Sequence, residues 1–247
     1  FFTVKWIDNL KLRTTYGYNG NVDKSVSAFL VAAFGTPNTY NLPSASILTP
    51  PNPDLRWERV SMLNFGIDFS LLNRLLSGSI EFYQKKGIDI MGDAFLPPST
   101  GLTLFRGNTA SFKGGGFDLN LNSLISNKGF FKWQVNFLFS YIKDKITSYS
   151  LVSTNNSGLV DGMLSVGKPV SAIYSYRSPG LDDQGNPLGY LNGVASIDYV
   201  SIFSSTYPSD ITYNGRRNPA YFGNLRNTFT LGRLSISANL GYKLGYN

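Results

Sequence analysis

No cysteine and no histidine occur among the 247 residues. The first absence excludes a disulfide framework and a thiolate metal site. The second removes the usual general base, the commonest metal ligand and any Ser-His triad. Charge is scarce as well, at 15% of residues, against roughly 25% in ordinary soluble domains. Long apolar runs are missing. The longest, 28–34, falls far short of the about 18 residues of a membrane helix, so any membrane span must be a barrel strand. The chain opens on "FFTVKW" without methionine or signal peptide and stops inside the alternating "GYKLGYN". It therefore reads as a segment of something larger.

What is present is aromatic and small-polar. Phe, Trp and Tyr reach 15%, and mean hydropathy is close to neutral. Alternating apolar and small polar residues give this average, as in a transmembrane barrel, and a secreted β-sandwich gives it too. The formal charge is +7, but the basic residues are dispersed, with Lys85-Lys86 and Arg216-Arg217 as the only doublets. That dispersal argues against a nucleic-acid interface, which needs Lys and Arg clustered on one face.

Alternation at period two recurs along the chain and marks strands with one apolar and one polar face. In "NPDLRWERVSMLNFGIDFS" (52–70), Leu63, Phe65, Ile67 and Phe69 alternate with Asn64, Gly66, Asp68 and Ser70. The longest clean case, "FKWQVNFLFSYIK", carries Phe131, Trp133, Val135, Phe137, Phe139 and Tyr141 in one phase. Strands are expected near 10–18, 60–71, 75–86, 113–125, 131–143, 221–231 and 234–246. Each approaches the 9–11 or so residues of a tilted membrane strand.

The connections separate sandwich from barrel. Tight turns are expected at Leu72-Asn73-Arg74, Asn127-Lys128-Gly129 and Gly232-Arg233, and long excursions at 19–59, 87–112 and 144–220. Strict alternation of short and long connections is the habit of an outer-membrane barrel, with short periplasmic turns and long extracellular loops. Asp68, Glu81, Asp118 and Lys132 then face a wet lumen, and no charge interrupts the opposite phase in mid-strand. Trp57, Trp133, Tyr141 and Tyr242 fall near strand ends, where aromatic girdles meet the headgroups. The fold class is all-β, an antiparallel transmembrane β-barrel segment.

Several stretches carry a family likeness. "LKLRTTYGYNGN" (10–21), "NPDLRWERVSMLNFGIDFSLLNRLLSGSIEFYQKK" (52–86), "PPSTG" (97–101), "GKPVSAIYSYRSPGLDDQGNP" (167–187) and "NPAYFGNLRNTFTLGRLSISANLGYKLGY" (218–246) follow one another in order. Together they resemble SusC/RagA-type TonB-linked outer-membrane proteins. The family's N-x-G-x-x-x-N-K-G-x-E segment is replaced by "GNTASFKGGGFDLN" (107–120), with Asp118 where Glu is usual. The resemblance implies a C-terminal portion of a barrel of about 22 strands, without its plug, TonB-contacting segment or closing strands. It also implies residence in a bacterial outer membrane of the Bacteroidota type and import of oligosaccharides or peptides. The implied partners are a SusD-like surface lipoprotein and TonB. A scaffold role for such a barrel, or a secreted all-β binding domain, are the alternatives.

Other motifs are weighed on their chemistry. "KGGGF" lacks the G-K-[ST] step into a helix that a phosphate loop needs, so a turn or bulge is expected. "LDDQGNPLG" (181–189) lacks calcium-loop ligand spacing and reads as a polar turn. Tyr174, Tyr176, Tyr190 and Tyr213, with Arg177, Arg216 and Arg217, crowd the longest excursion. Tyrosine's apolar ring and polar tip suit stacking on a sugar or packing on a lipoprotein, or building the loop's own core. No catalytic constellation, metal site or cofactor motif is found, so no enzymatic activity and no cofactor are expected.

Overall fold

The computed structural model describes residues 4–24, 26–95, 104–150 and 155–247. Seven strands form one sheet: β1 (Ile7–Asn21), β4 (Glu58–Leu71), β5 (Leu76–Phe95), β6 (Leu104–Lys128), β7 (Phe131–Tyr149), β13 (Tyr221–Leu231) and β14 (Leu234–Leu244). They lie side by side in that order, each antiparallel to the next. The remaining strands sit in the excursions. β2 (Val31–Phe34) and β3 (Ala45–Thr49) pair in the first. The last holds β8 (Ala172–Tyr176), β9 (Gly180–Leu181), β10 (Pro187–Leu191), β11 (Val194–Ser196) and β12 (Ile211–Arg216), with short helices α1 (Asn156–Val160) and α2 (Tyr199–Ser204).

The register sorts side chains into two faces. One row reads Leu12, Ile67, Ile80, Leu119, Phe139, Gly223 and Tyr242. The adjacent row, on the other face, reads Arg13, Gly66, Glu81, Asp118, Ser140, Phe222 and Lys243. Neither face is covered by the described residues. Among the described residues the only buried hydrophobic side chains are Ala110, Ile146, Ile202 and Ile211, none on the mid-height apolar rows. Leu12, Phe65, Phe82, Ile236 and Leu240 are each more than half exposed. A continuous apolar face of this extent is unstable in water and is matched by lipid, with the polar face turned to a lumen.

Aromatic rings bound the apolar rows at both heights. Trp133 stacks on Phe229 at 5.6 Å near the tight turns, and its indole N–H donates to Asn227 Oδ1 at 3.2 Å. Toward the loops, Tyr141 stacks on Tyr221 at 4.9 Å. Eight residues at about 3.4 Å each, tilted about 40°, set these two levels roughly 20 Å apart along the membrane normal. Tyr242 lies across Gly223 on the same face, its hydroxyl donating to the Leu138 carbonyl at 2.9 Å. Trp57 stands just before β4 and covers Gly20, where an added Cβ would come within 3.2 Å of the indole.

Three expectations need correction. The excursion expected at 87–112 is largely strand: β5 continues to Phe95 and β6 starts at Leu104, paired from Gly92↔Gly107 to Phe95↔Leu104. Bulges around Gly87 to Met91, with Asp89 at φ 58°, break the alternation that would have revealed it. "KGGGF" is neither turn nor bulge, because Gly114, Gly115 and Gly116 sit inside β6 in unbroken register. Close packing requires them: a Cβ on Gly116 would lie 2.3 Å from the Tyr83 hydroxyl oxygen, and one on Gly115 would lie 2.8 Å from the Tyr83 carbonyl oxygen. The sheet strands also run longer than expected, β7 to Tyr149 and β1 to Asn21. "PPSTG" (97–101) lies outside the described residues.

The tight turns carry local strain. Leu72, Asn73 and Arg74 are all left-handed, with φ of 56°, 56° and 66°. A non-glycine residue in that region costs roughly 1–2 kcal/mol. Arg74→Gly keeps the backbone N–H that donates to Asp8 Oδ2 at 2.8 Å. It is expected to stabilise the folded protein by up to about 1 kcal/mol after glycine's own entropy cost. Reversible urea unfolding in detergent micelles measures this.

Candidate functional site

Two surfaces carry the polar chemistry: the lumen face of the sheet and the long loop above it. On the lumen face, Arg13 of β1 reaches across two strands. Its Nε and Nη2 donate to Asp68 Oδ2 and Oδ1, both at 2.7 Å, and Nη2 also donates to Glu81 Oε1 at 2.7 Å. Asn64 donates to the other Glu81 oxygen at 3.0 Å. Gly66 makes room for this fork, since a Cβ there would meet the guanidinium at 3.2 Å. Further along, Asn136 bridges Asn120 at 3.2 Å and Asn122 at 2.8 Å. Such a wall offers donors and acceptors to water or to a polar solute.

The long loop is a folded unit rooted in β7. Asp144 accepts hydrogen bonds from Arg216 Nη2 and, at 2.7 Å, from the Val170 N–H; Arg216 Nη1 donates to the Ile142 carbonyl at 2.8 Å. Higher up, Asp210 is fully buried. Its carboxyl group accepts from the N–H groups of Asn192 and Gly193, each at 2.9 Å, and from the Ser205 hydroxyl at 2.8 Å. Buried Asn156 donates to the Tyr207 carbonyl at 2.7 Å. Sequence reasoning missed Asp144, Asp210 and Lys168. Only Asp144 left a trace: it follows directly on the expected strand 131–143, in that strand's lumen phase.

Of the tyrosines expected at this site, Tyr174 and Tyr213 meet each other, while Tyr176 and Tyr190 each have another partner. Tyr174 and Tyr213 are cross-strand partners of β8 and β12 with rings 5.5 Å apart, and the Lys168 ammonium sits 4.1 Å over Tyr213. Tyr176 packs on Phe203 at 5.2 Å, and burial pushes its hydroxyl above the ordinary tyrosine range. Arg177 lies 4.9 Å over the Tyr190 ring while donating to the Ser209 carbonyl at 2.9 Å. Arg216 is held by the loop's base, whereas neighbouring Arg217 is exposed and its guanidinium makes no hydrogen bond or ion pair among the described residues.

Within 181–189 the acidic oxygens serve their own turn. Asp182 accepts from the N–H groups of Gln184 at 2.9 Å and Asn186 at 2.8 Å, and from the Asn186 amide at 2.9 Å. The Asn186 side chain, then its backbone, holds the Asp182 carboxyl below the usual carboxylate range. A depressed folded pKa stabilises the turn fully above the unfolded value of about 3.9, and that contribution is lost as pH falls through the lower folded value. Hydrogen-exchange protection at Gln184 and Asn186, corrected for intrinsic rates, is therefore expected to be flat above pH about 5 and to collapse in acid. Asp182→Asn should abolish the pH dependence.

No family model matches the chain. It is 29% identical over 182 residues to TonB-dependent receptor P39 of Formosa agariphila, covering 71% of this chain and 17% of that protein. It is 22% identical over 264 residues to the TonB-dependent receptor SusC of Bacteroides thetaiotaomicron, covering 97% of this chain and 26% of that one. Among solved structures, the RagAB peptide transporter aligns with 98% of this chain and 27% of its own, at a TM-score of 0.76 and 23% identity. The chain thus spans roughly a quarter or less of these proteins. In sequence and in fold, this chain is similar to SusC/RagA-type TonB-dependent receptors, whose antiparallel barrel strands its seven-stranded sheet matches.

Proposed function

We propose that the chain is the C-terminal wall and loop portion of an outer-membrane importer of oligosaccharides or peptides. In this reading it works with a SusD-like surface lipoprotein and draws energy through TonB. The observation that carries it is the two-faced sheet: an uncovered apolar face suited to lipid, and a lumen face furnished with the Arg13 fork and the asparagine ladder. The likeness to SusC, and to RagAB with its description as a peptide transporter, supports transport rather than catalysis. Tyr174, Tyr176, Arg177, Tyr190, Tyr213 and Arg217 are the proposed contacts for substrate or partner. Arg177, Tyr213 and Arg217 are the exposed members. Arg216 holds the loop in place for them.

The test is uptake of labelled peptide and oligosaccharide pools by cells with and without the full-length gene. Loss of uptake of one pool on deletion, its restoration by the wild-type gene and its abolition by a protonophore are expected. Unchanged uptake of both pools in the deletion strain overturns the transport reading.

A further inference from the structure

Up to the bulges beside Gly87 and Phe112, charge on the outward face of β5, β6 and β7 has one sign and, apart from Lys128 at the tight-turn end, gathers at one end of the sheet. Lys86, Lys113 and Lys145 are register partners across β5, β6 and β7, and Lys143 lies one outward position below Lys145. On β4 the partner of Lys86 is Ser61, and Arg59, one outward position higher, is paired with Asp89 at 2.8 Å. The four lysines are exposed and have no acidic partner among the described residues. The acids nearby in sequence, Glu81, Asp118 and Asp144, belong to the other face.

Directly below, the outward row reads Gln84, Gly115, Lys143, and below that Phe82, Phe117, Tyr141. Gly115 carries no side chain, and a cleft of about 1040 Å³ runs from the rings of Tyr16, Phe82 and Tyr141 up to the lysines. With a rise of about 3.4 Å and a tilt of about 40°, Lys143 and Lys145 stand roughly 5 and 10 Å above Tyr141 along the normal. If Tyr141 marks the headgroup boundary, the ammonium groups stand at the level of lipid phosphates.

We propose that this cleft is a binding site for the phosphorylated headgroup of an outer-leaflet lipid. The phosphate is held by Lys86, Lys113, Lys143 and Lys145, and the chains descend along the aromatic rings. Lysine is a flexible point charge well suited to phosphate, and basic residues at membrane level draw anionic headgroups. A lipid is favoured over a soluble anion because the lower wall is apolar and continuous with the lipid face. The proposal rests on the membrane reading above.

The test uses full-length protein in dodecyl maltoside micelles doped with dipalmitoyl phosphatidic acid, dipalmitoylglycerol or inorganic phosphate, with bound lipid read by native mass spectrometry. Wild type is expected to retain phosphatidic acid. Lys86→Gln/Lys113→Gln/Lys143→Gln/Lys145→Gln is expected to bind it about tenfold or more weakly. Dipalmitoylglycerol is not retained, and inorganic phosphate does not displace the lipid. Lys143→Gln/Lys145→Gln, confined to one strand, gives a partial loss and serves if the fourfold variant fails to assemble. Lys132→Gln, on the lumen face and outside the cleft, leaves retention unchanged. Equal retention by wild type and the lysine variants, or displacement by inorganic phosphate, overturns the lipid site. Recovery of the wild-type protein from the soluble fraction overturns the membrane reading and the site with it; membrane-embedded protein indifferent to the lysines overturns the site alone.

Discussion

Phe65→Arg is expected to prevent assembly into the outer membrane, while Ser70→Arg, on the same strand, assembles close to wild type. Phe65 is paired between Thr14 and Phe82 on the outward face and is 52% exposed. An arginine there would have to lie in hydrocarbon, at a cost of about 2–4 kcal/mol near the midplane. Ser70 sits in the opposite phase beside Ser77, where a cation meets the lumen. The measurement is the amount of each full-length variant in the outer-membrane fraction with heat-modifiable electrophoretic mobility. Equal assembly of the two would sink the assignment of faces.

Asp210→Asn is expected to unravel the long loop and leave the sheet intact. Both carboxyl oxygens face donors: Oδ1 takes the Gly193 N–H, and Oδ2 takes the Asn192 N–H and the Ser205 hydroxyl. An amide of the same size must turn its NH₂ toward one of them, setting donor against donor in a fully buried place. The loss is about 2–4 kcal/mol, the cost of charge-assisted bonds replaced by an unsatisfied buried group. Limited proteolysis should then cut within 155–216 while heat-modifiable mobility is kept. A loop as resistant as wild type would show that Asp210 does not organise it.

These two sites also mark what the sequence could disclose. The face of Phe65 was legible because side chains alternate at period two wherever register is unbroken, and β4 and β7 keep register over their lipid-level lengths. Legibility fails where that condition fails. Beyond Gly87 the bulges shift the phase, so the hairpin extension up to Phe95 looked like loop. The three glycines looked like a turn because their reason lies on other strands, in the ring of Tyr83 and the backbones of β5 and β7. Asp210 was invisible for the same cause. Its partners are backbone N–H groups 17 and 18 residues away and one serine hydroxyl, and no spacing rule announces such a contact. The tyrosines of the loop were found, but the ring contact of Tyr174 with Tyr213 depends on the β8–β12 pairing, and that of Tyr176 with Phe203 on where α2 packs.

The base of the long loop has a mechanical consequence. Both legs are fastened to one strand: Lys168 and Gly167 exchange backbone hydrogen bonds with Ile146, Val170 and Arg216 share the Asp144 carboxylate, and the Ala220 carbonyl accepts from the Ile142 N–H. A flap needs one free leg and a hinge. This loop is instead an arch with both feet clamped, so a load on its crown passes into β7 through Asp144 and cannot be released by rotation at the base. Whatever presses on the loop from outside therefore deforms the rim of the wall, and movement without that deformation is confined to the span between the two feet.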